Sequence, residues 1–169
     1  YGAAMTGQFV VLEDAAAAGA EAARRFAQIA RASVATRRRF LVALAGGQTP
    51  AGMFEELAAP PLRDVVPWEQ THVFWSDERF VPADDPASNA GRAAATLLDR
   101  VPVPRDQVHP VPTDRDPIAA AAAYQSTLSR VLGGQEDTLS ADAPDGSKES
   151  TGPGLDLVML GLGPDGHIA

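Results

Sequence analysis

Three apolar runs, set apart by helix-length stretches, constrain this chain more than anything else in it. They are FLVALA (Phe40–Ala45), the first half of THVFWSDE (Thr71–Glu78) and LDLVML (Leu155–Leu160). FLVALA shows no polar alternation at all. A continuous apolar run of strand length implies burial on both faces, as in a parallel sheet covered by helices. Helical patterns fill the intervals. Asp14 can cap a long helix through Ala15–Arg39, where Phe26 and Ile29 recur at helical spacing and abundant Ala favours helix. AGMFEELA (Ala51–Ala58) reads as a second helix. Ser88 can cap a third, running to about Asp99. Asp116 and Pro117 open a fourth, to about Leu132. Gln8–Leu12 and Gln107–Val111 are further strand candidates. Alternating strands and helices predict an α/β class with a mainly parallel sheet.

Length and composition fit a single domain over residues 1–169. The chain is 45% hydrophobic and 21% charged, enough for a sizeable core. Its net charge of −8 argues against a nucleic-acid partner, which calls for a basic face. An anionic substrate would therefore need cations gathered locally. With no cysteine, disulfides and thiolate metal sites are excluded. No metal-ligand spacing such as H-x-x-x-H occurs, so no metal is expected. No apolar run approaches the roughly 20 residues of a membrane span, and no secretory signal is visible. The expected location is the cytoplasm, with no membrane partner. Tyr1–Ala4, ahead of Met5, reads as an expression remnant. Gly133–Gly154 is polar and rich in Gly, Pro and Ser, the composition of a mobile surface loop. The chain stops where its last loop should enter a helix, so the domain is expected to lack its C-terminal part.

Ligands of parallel α/β sheets bind outside the carboxyl ends of the strands. Three loops stand there. GGQTP (Gly46–Pro50) follows the first run. Its glycines let backbone approach a ligand, Thr49 is a candidate N-cap and Pro50 a candidate first helical residue. Free N–H groups at that helix start would suit an anion, although a plain strand-to-helix turn explains the same residues. SDER (Ser76–Arg79) brings two carboxylates and an arginine to the end of the second run. Arg79 could meet a phosphate or a developing oxyanion; a surface salt-bridge cluster is the plainer account. GLGPDGHIA (Gly161–Ala169) contains G-x-G-x-x-G at Gly161, Gly163 and Gly166. A nucleotide fingerprint needs a further helix, strand and distal acid, and Asp165 would repel a pyrophosphate. The Asp165-x-His167 pair suits acid–base chemistry, since histidine titrates near neutrality and a carboxylate can fix its tautomer. The alternative is Asp165 as a helix cap beside a bystander His167. His72 and His109 read as structural or surface residues. Arg24, Arg25 and Arg37–Arg39 read as solvated helix positions.

Together the segments ALAGGQTP, VFWSDERFVPADDPASNAGRA and LDLVMLGLGPDGHIA resemble the 6-phosphogluconolactonases, from about Gln8 to the end of the chain. The resemblance implies the three-layer α/β/α fold shared with glucosamine-6-phosphate deaminase. It also implies hydrolysis of 6-phosphogluconolactone to 6-phosphogluconate, in the oxidative pentose phosphate pathway, without cofactor or metal. The substrate is then a small sugar-phosphate lactone. By the same resemblance His167 is the general base, Asp165 orients the loop or His167, and Arg79 binds the oxyanion or the phosphate. Gly46, Gly47, Gln48 and Thr49 line the substrate. Asp77, Ser88, Asn89 and Arg92 hold the second loop, and Gly163 and Gly166 shape the third. The deaminases are the nearest alternative. They share GG-x-TP and the DGHIA loop but usually carry DEY where this chain has DERFVP. Sugar-responsive regulators with a similar fold are a second, non-catalytic alternative; their N-terminal helix-turn-helix finds no counterpart ahead of Gln8.

Overall fold

The computed structural model describes residues 7–47, 49–133, 154–162, 166 and 168. Its centre is a parallel sheet of β1 (Phe40–Leu44), β2 (Thr71–Trp75) and β3 (Leu157–Val158), in the order β2-β1-β3. Phe40 pairs with Thr71 and Leu44 with Trp75 on one side of β1; Val42 pairs with Leu157 on the other. All five residues of β1 are buried, as an apolar run without alternation requires.

The period of two in each strand sorts its side chains to opposite faces. Phe40, Val42, Leu44, Val73 and Trp75 point into a cluster with Phe26, Met53, Phe54, Leu57 and Leu97. That face is covered by α1 (Ala15–Arg37) and α2 (Ala51–Leu57), with α3 (Leu62–Val65) and α4 (Asn89–Ala93) beside them. Leu41, Ala43 and Phe74 point the other way, onto Tyr124, Leu128 and Val131 of α5 (Pro117–Gly133). The fold is thus a three-layer α/β/α arrangement. Fully burying each such aliphatic or aromatic side chain contributes about 1.5–3 kcal/mol before the opposing chain entropy.

The helix starts follow their capping residues. Asp14 accepts from Ala17 N at 2.7 Å, Ser88 from Gly91 N at 3.0 Å, and Asp116 from Ile118 N at 3.0 Å. The helix capped by Ser88 does reach the Asp99 region, but α4 passes into a π-helical turn over Ala94–Leu98. α1 ends at Arg38, whose φ of 62° turns the chain sharply into β1 at a cost of roughly 1–2 kcal/mol for a non-glycine residue.

Four expectations need correction. Gln8–Leu12 is not a strand: Phe9 is 98% and Val11 92% exposed, and no strand edge lies beside them among the described residues. A β-like pattern needs a partner to become a strand. Gln107–Val111 shrinks to a single bridge, Val108 with Val73. LDLVML is a strand only at Leu157 and Val158, though Asp156 N and Met159 N still donate to Leu41 O and Ala43 O. Arg37 and Arg39 are not idle cations. Arg37 pairs with Asp156, whose side chain is 2% exposed and whose Oδ2 accepts from Leu41 N at 2.6 Å. Arg39 donates to Val131 O at 2.8 Å, at the carbonyl end of α5 where a cation is favoured. Residues 134–153 of the polar stretch lie outside the described residues.

Candidate active site

The sheet order puts the loops after β2, β1 and β3 side by side at one end, as the parallel topology demands. The first loop packs against a dense hydrogen-bond network that joins the second loop to the start of α4. Gly46 runs so close to Asn89 that a Cβ at Gly46 would overlap the Asn89 amide. Asn89, 4% exposed, donates through Nδ2 to Asp77 O at 3.1 Å and to Asp77 Oδ2 at 3.2 Å. Gly47 follows with φ +83°, the left-handed region that glycine enters without steric cost.

Glu78 is the busiest side chain here, and the sequence reading passed over it. Its Oε1 accepts from Arg79 N and Asn89 N, both at 2.7 Å. Its Oε2 accepts from Ala90 N at 2.8 Å, with Ser88 Oγ farther off at 3.5 Å. A signal for it existed. The first turn of α4 carries no acidic residue, so its orphan N–H groups needed an acceptor from elsewhere, and SDER is the nearest acidic loop.

Arg79 lies beside Asp77, Nε to Oδ2 3.5 Å, with 57% of its side chain exposed. It is a cation displayed at the sheet end, anchored among the described residues by Asp77 alone. Arg92 donates to Pro86 O at 3.0 Å and so holds the Pro- and Asp-rich loop down. Ser88, 2% exposed, is a cap and not a surface hydroxyl. Thr49 is exposed and does not cap α2: the N-cap is Pro50, with no side-chain cap bond. The helix still begins at Ala51, as AGMFEELA suggests; what changes is the residue at the cap.

Beneath this loop, Trp75 at the end of β2 stays paired with Leu44 on one edge, and Tyr124 of α5 serves its backbone N–H and C=O. Its hydroxyl accepts from Trp75 N at 2.9 Å and donates to Trp75 O at 3.2 Å. Burial pushes the phenol up, the bond to Trp75 opposes it, and the charge of Glu78 adds to the rise. The hydroxyl thus keeps the proton it donates. Ser76 N and Oγ both donate to Leu44 O, at 2.9 and 3.1 Å, which ties the roots of the first two loops together.

Of the third loop, Gly161, Leu162, Gly166 and Ile168 are described. Leu162 and Ile168 form an antiparallel bridge, and Gly166 has φ +85°. Gln48, Gly163, Asp165 and His167 lie outside the described residues. A cleft of about 670 Å³ opens between the start of α1, the start of α2 and residues 159–161. Among the described residues Thr49 is its one candidate residue, and the rest of its described wall is mostly apolar (Ala15, Ala22, Met53 and Met159 among others). Among the described residues no cluster of His, Cys, Asp and Glu could hold a metal ion, and no helix is long and apolar enough to cross a membrane.

His72 and His109 sit elsewhere, on the α5 face near the start of β2. Their rings are parallel within 4°, with centroids 5.5 Å apart and Nδ1 of His72 3.1 Å from Nε2 of His109. The rings thus meet edge to edge through one N–H···N bond. Burial, then the proximity of His72, lowers His109 to about 4; burial also lowers His72. His109 also stacks on Phe74, with ring centroids 4.7 Å apart.

Comparison with known proteins places this geometry. The family model for glucosamine-6-phosphate isomerases/6-phosphogluconolactonase matches residues 13–169. A 6-phosphogluconolactonase of Nostoc is 42% identical over 132 residues, 78% of this chain and 48% of the relative. That of Mycobacterium leprae is 34% identical over 97% of this chain and 62% of its own length. The solved 6-phosphogluconolactonase of Trypanosoma cruzi superposes with a TM-score of 0.74 at 30% identity, covering 95% of this chain and 60% of that one. A monomeric glucosamine-6-phosphate deaminase shares the fold, with a TM-score of 0.70 at 19% identity. The chain spans about half to three-fifths of the length of the curated relatives it matches.

Proposed function

Since the chain belongs to the family of glucosamine-6-phosphate isomerases and 6-phosphogluconolactonases, we propose that it hydrolyses 6-phospho-D-glucono-1,5-lactone to 6-phosphogluconate, in the oxidative pentose phosphate pathway. One observation carries the choice within the family. The DERFVP…SN block, which resembles the lactonases rather than the deaminases, is built into the site: Asp77, Glu78, Ser88 and Asn89 form one bonded unit against Gly46. The relatives at 42% and 34% identity are named lactonases, which supports the same reading.

In this mechanism His167 is the general base. It takes a proton from water as the water oxygen attacks the lactone carbonyl carbon, and charge passes to the carbonyl oxygen. The tetrahedral intermediate collapses by breaking the bond from that carbon to the ring oxygen. His167 returns its proton to the ring oxygen, and the product is the open-chain acid. Asp165 orients the loop or the imidazole. A positioned base of this kind contributes about 10²–10⁴-fold. Arg79 meets the oxyanion or the phosphate, a local cation in a chain of net charge −8. Gly46, Gly47, Gln48 and Thr49 line the substrate. The lactone is already activated towards water, so the reaction calls for no cofactor. The enzyme works in the cytoplasm on a small molecule, with no nucleic-acid or membrane partner.

The test is hydrolysis of freshly generated lactone, coupled to oxidation of 6-phosphogluconate, with spontaneous hydrolysis subtracted. Turnover that disappears in His167→Ala supports both the reaction and the base. Turnover that survives it removes His167 from the mechanism. A folded protein with no turnover above background sinks the lactonase reading, and glucosamine-6-phosphate becomes the next substrate to try.

A further inference from the structure

We propose that Glu78 is a positioning residue for this reaction: its carboxylate sets where Asp77 and Arg79 stand relative to the Gly46–Gly47 loop. The inference rests on the lactonase reading for its consequence in turnover, but not for its geometry.

Glu78 occupies the middle of Asp77-Glu78-Arg79, and both neighbours are partly exposed at the carboxyl end of β2. Its own carboxylate folds back to accept from the Arg79 backbone N–H, which fixes the point from which the Arg79 side chain departs. The same oxygen accepts from Asn89 N, and the other from Ala90 N. A single anion thus satisfies two orphan donors of the first turn of α4, where the helix end favours negative charge. With α4 held there, Asn89 reaches Asp77 with its Nδ2 and abuts Gly46 with its amide. The first and second loops are therefore registered through one side chain that need not touch substrate. Arg79, 57% exposed, has Asp77 at 3.5 Å as its one ion-pair partner among the described residues. Displacing a binding group by about 1 Å can cost on the order of 10²-fold in rate.

Glutamine at this position keeps the length but turns one acceptor into a donor, facing either Ala90 N or the pair Arg79 N and Asn89 N. The experiment compares the wild-type protein, Glu78→Gln and, as a control on the exposed face of α2, Glu55→Gln. Two readouts are taken: kcat and KM for lactone hydrolysis, and hydrogen exchange of individual amides. Glu78→Gln is expected to lower kcat/KM by about 10–100-fold, with cooperative unfolding retained and faster exchange confined to Arg79, Asn89 and Ala90. Glu55→Gln is expected to match the wild type. Wild-type kcat and KM in Glu78→Gln, or unchanged exchange at those three amides, overturns the proposal. Should Glu78→Gln not fold, Glu78→Asp keeps the charge and withdraws it by one methylene, and the same two outcomes apply. If the wild-type protein itself does not turn over lactone, the lactonase reading falls, and the exchange pattern alone decides whether Glu78 registers the loops.

Discussion

The side-chain amide of Asn89 fills the space that a Cβ on Gly46 would need. Gly46→Ala must expel that amide or shift the loop. Overpacking of this kind costs about 1–3 kcal/mol, and here it also breaks the bonds from Asn89 to Asp77. We expect a lower unfolding midpoint together with a loss of lactone turnover larger than the stability change explains. An alanine variant with wild-type midpoint and turnover would show that the two loops are not packed as described.

Tyr124→Phe removes one oxygen and leaves both polar groups of the Trp75 backbone without that partner. Trp75 is buried, so water cannot fully replace the hydroxyl. The expected loss is about 1–3 kcal/mol, measured by denaturant unfolding. Equal stability of the two proteins would mean that β2 needs no closure at this end.

Asp156 holds Leu41 N and Arg37 with one buried carboxylate. Asp156→Leu is expected to cost about 3 kcal/mol, the low end for breaking a buried ion pair, because Arg37 is half-exposed and regains water. Urea midpoints that coincide for the two proteins would contradict it.

The histidine pair makes stability depend on acid. His109 titrates at about 4 in the folded chain against 6.5 ordinarily. Between those values the unfolded chain binds a proton that the folded one refuses, so the contribution is full above about pH 6.5 and is lost as pH falls towards 4. Arg39 and Arg130 oppose charging of His72, and Asp106 favours it; Arg130 and Asp106 act likewise on His109. In His109→Gln the unfolding midpoint should fall less steeply over that range. Identical slopes for the two proteins would refute the assignment.

The sheet was legible because its signal is local: FLVALA needs only its own composition to read as a strand buried on both faces, and THVFW to read as a strand. Caps at Asp14, Ser88 and Asp116 were legible for the same reason. What escaped depends on partners far along the chain. Gln8–Leu12 has the pattern of a strand but no edge to join. Arg39 looks solvated until Val131, 92 residues away, is seen to need it. Tyr124 meets Trp75 across 49 residues. Glu78 escapes a local reading because it accepts the first N–H groups of α4 from a loop and not from within the helix. His167 and Asp165 rest on the motif and the resemblance.

β1 is flanked by strands that differ greatly in their distance along the chain. Its ladder to β2 closes over the short interval from Phe40 to Thr71, while its contacts with the β3 segment span 115 residues at Leu41 and Asp156. Closing the longer loop is the slower event. The expected order in time follows: the Gly46 and Asp77 loops meet first, and the β3 segment docks last. Pulsed exchange during refolding should find Asn89 and Ala90 amides protected before those of Asp156 and Met159; the reverse order would contradict it. A chain caught midway would already hold its first two loops together while the strand that leads into the third is still unplaced.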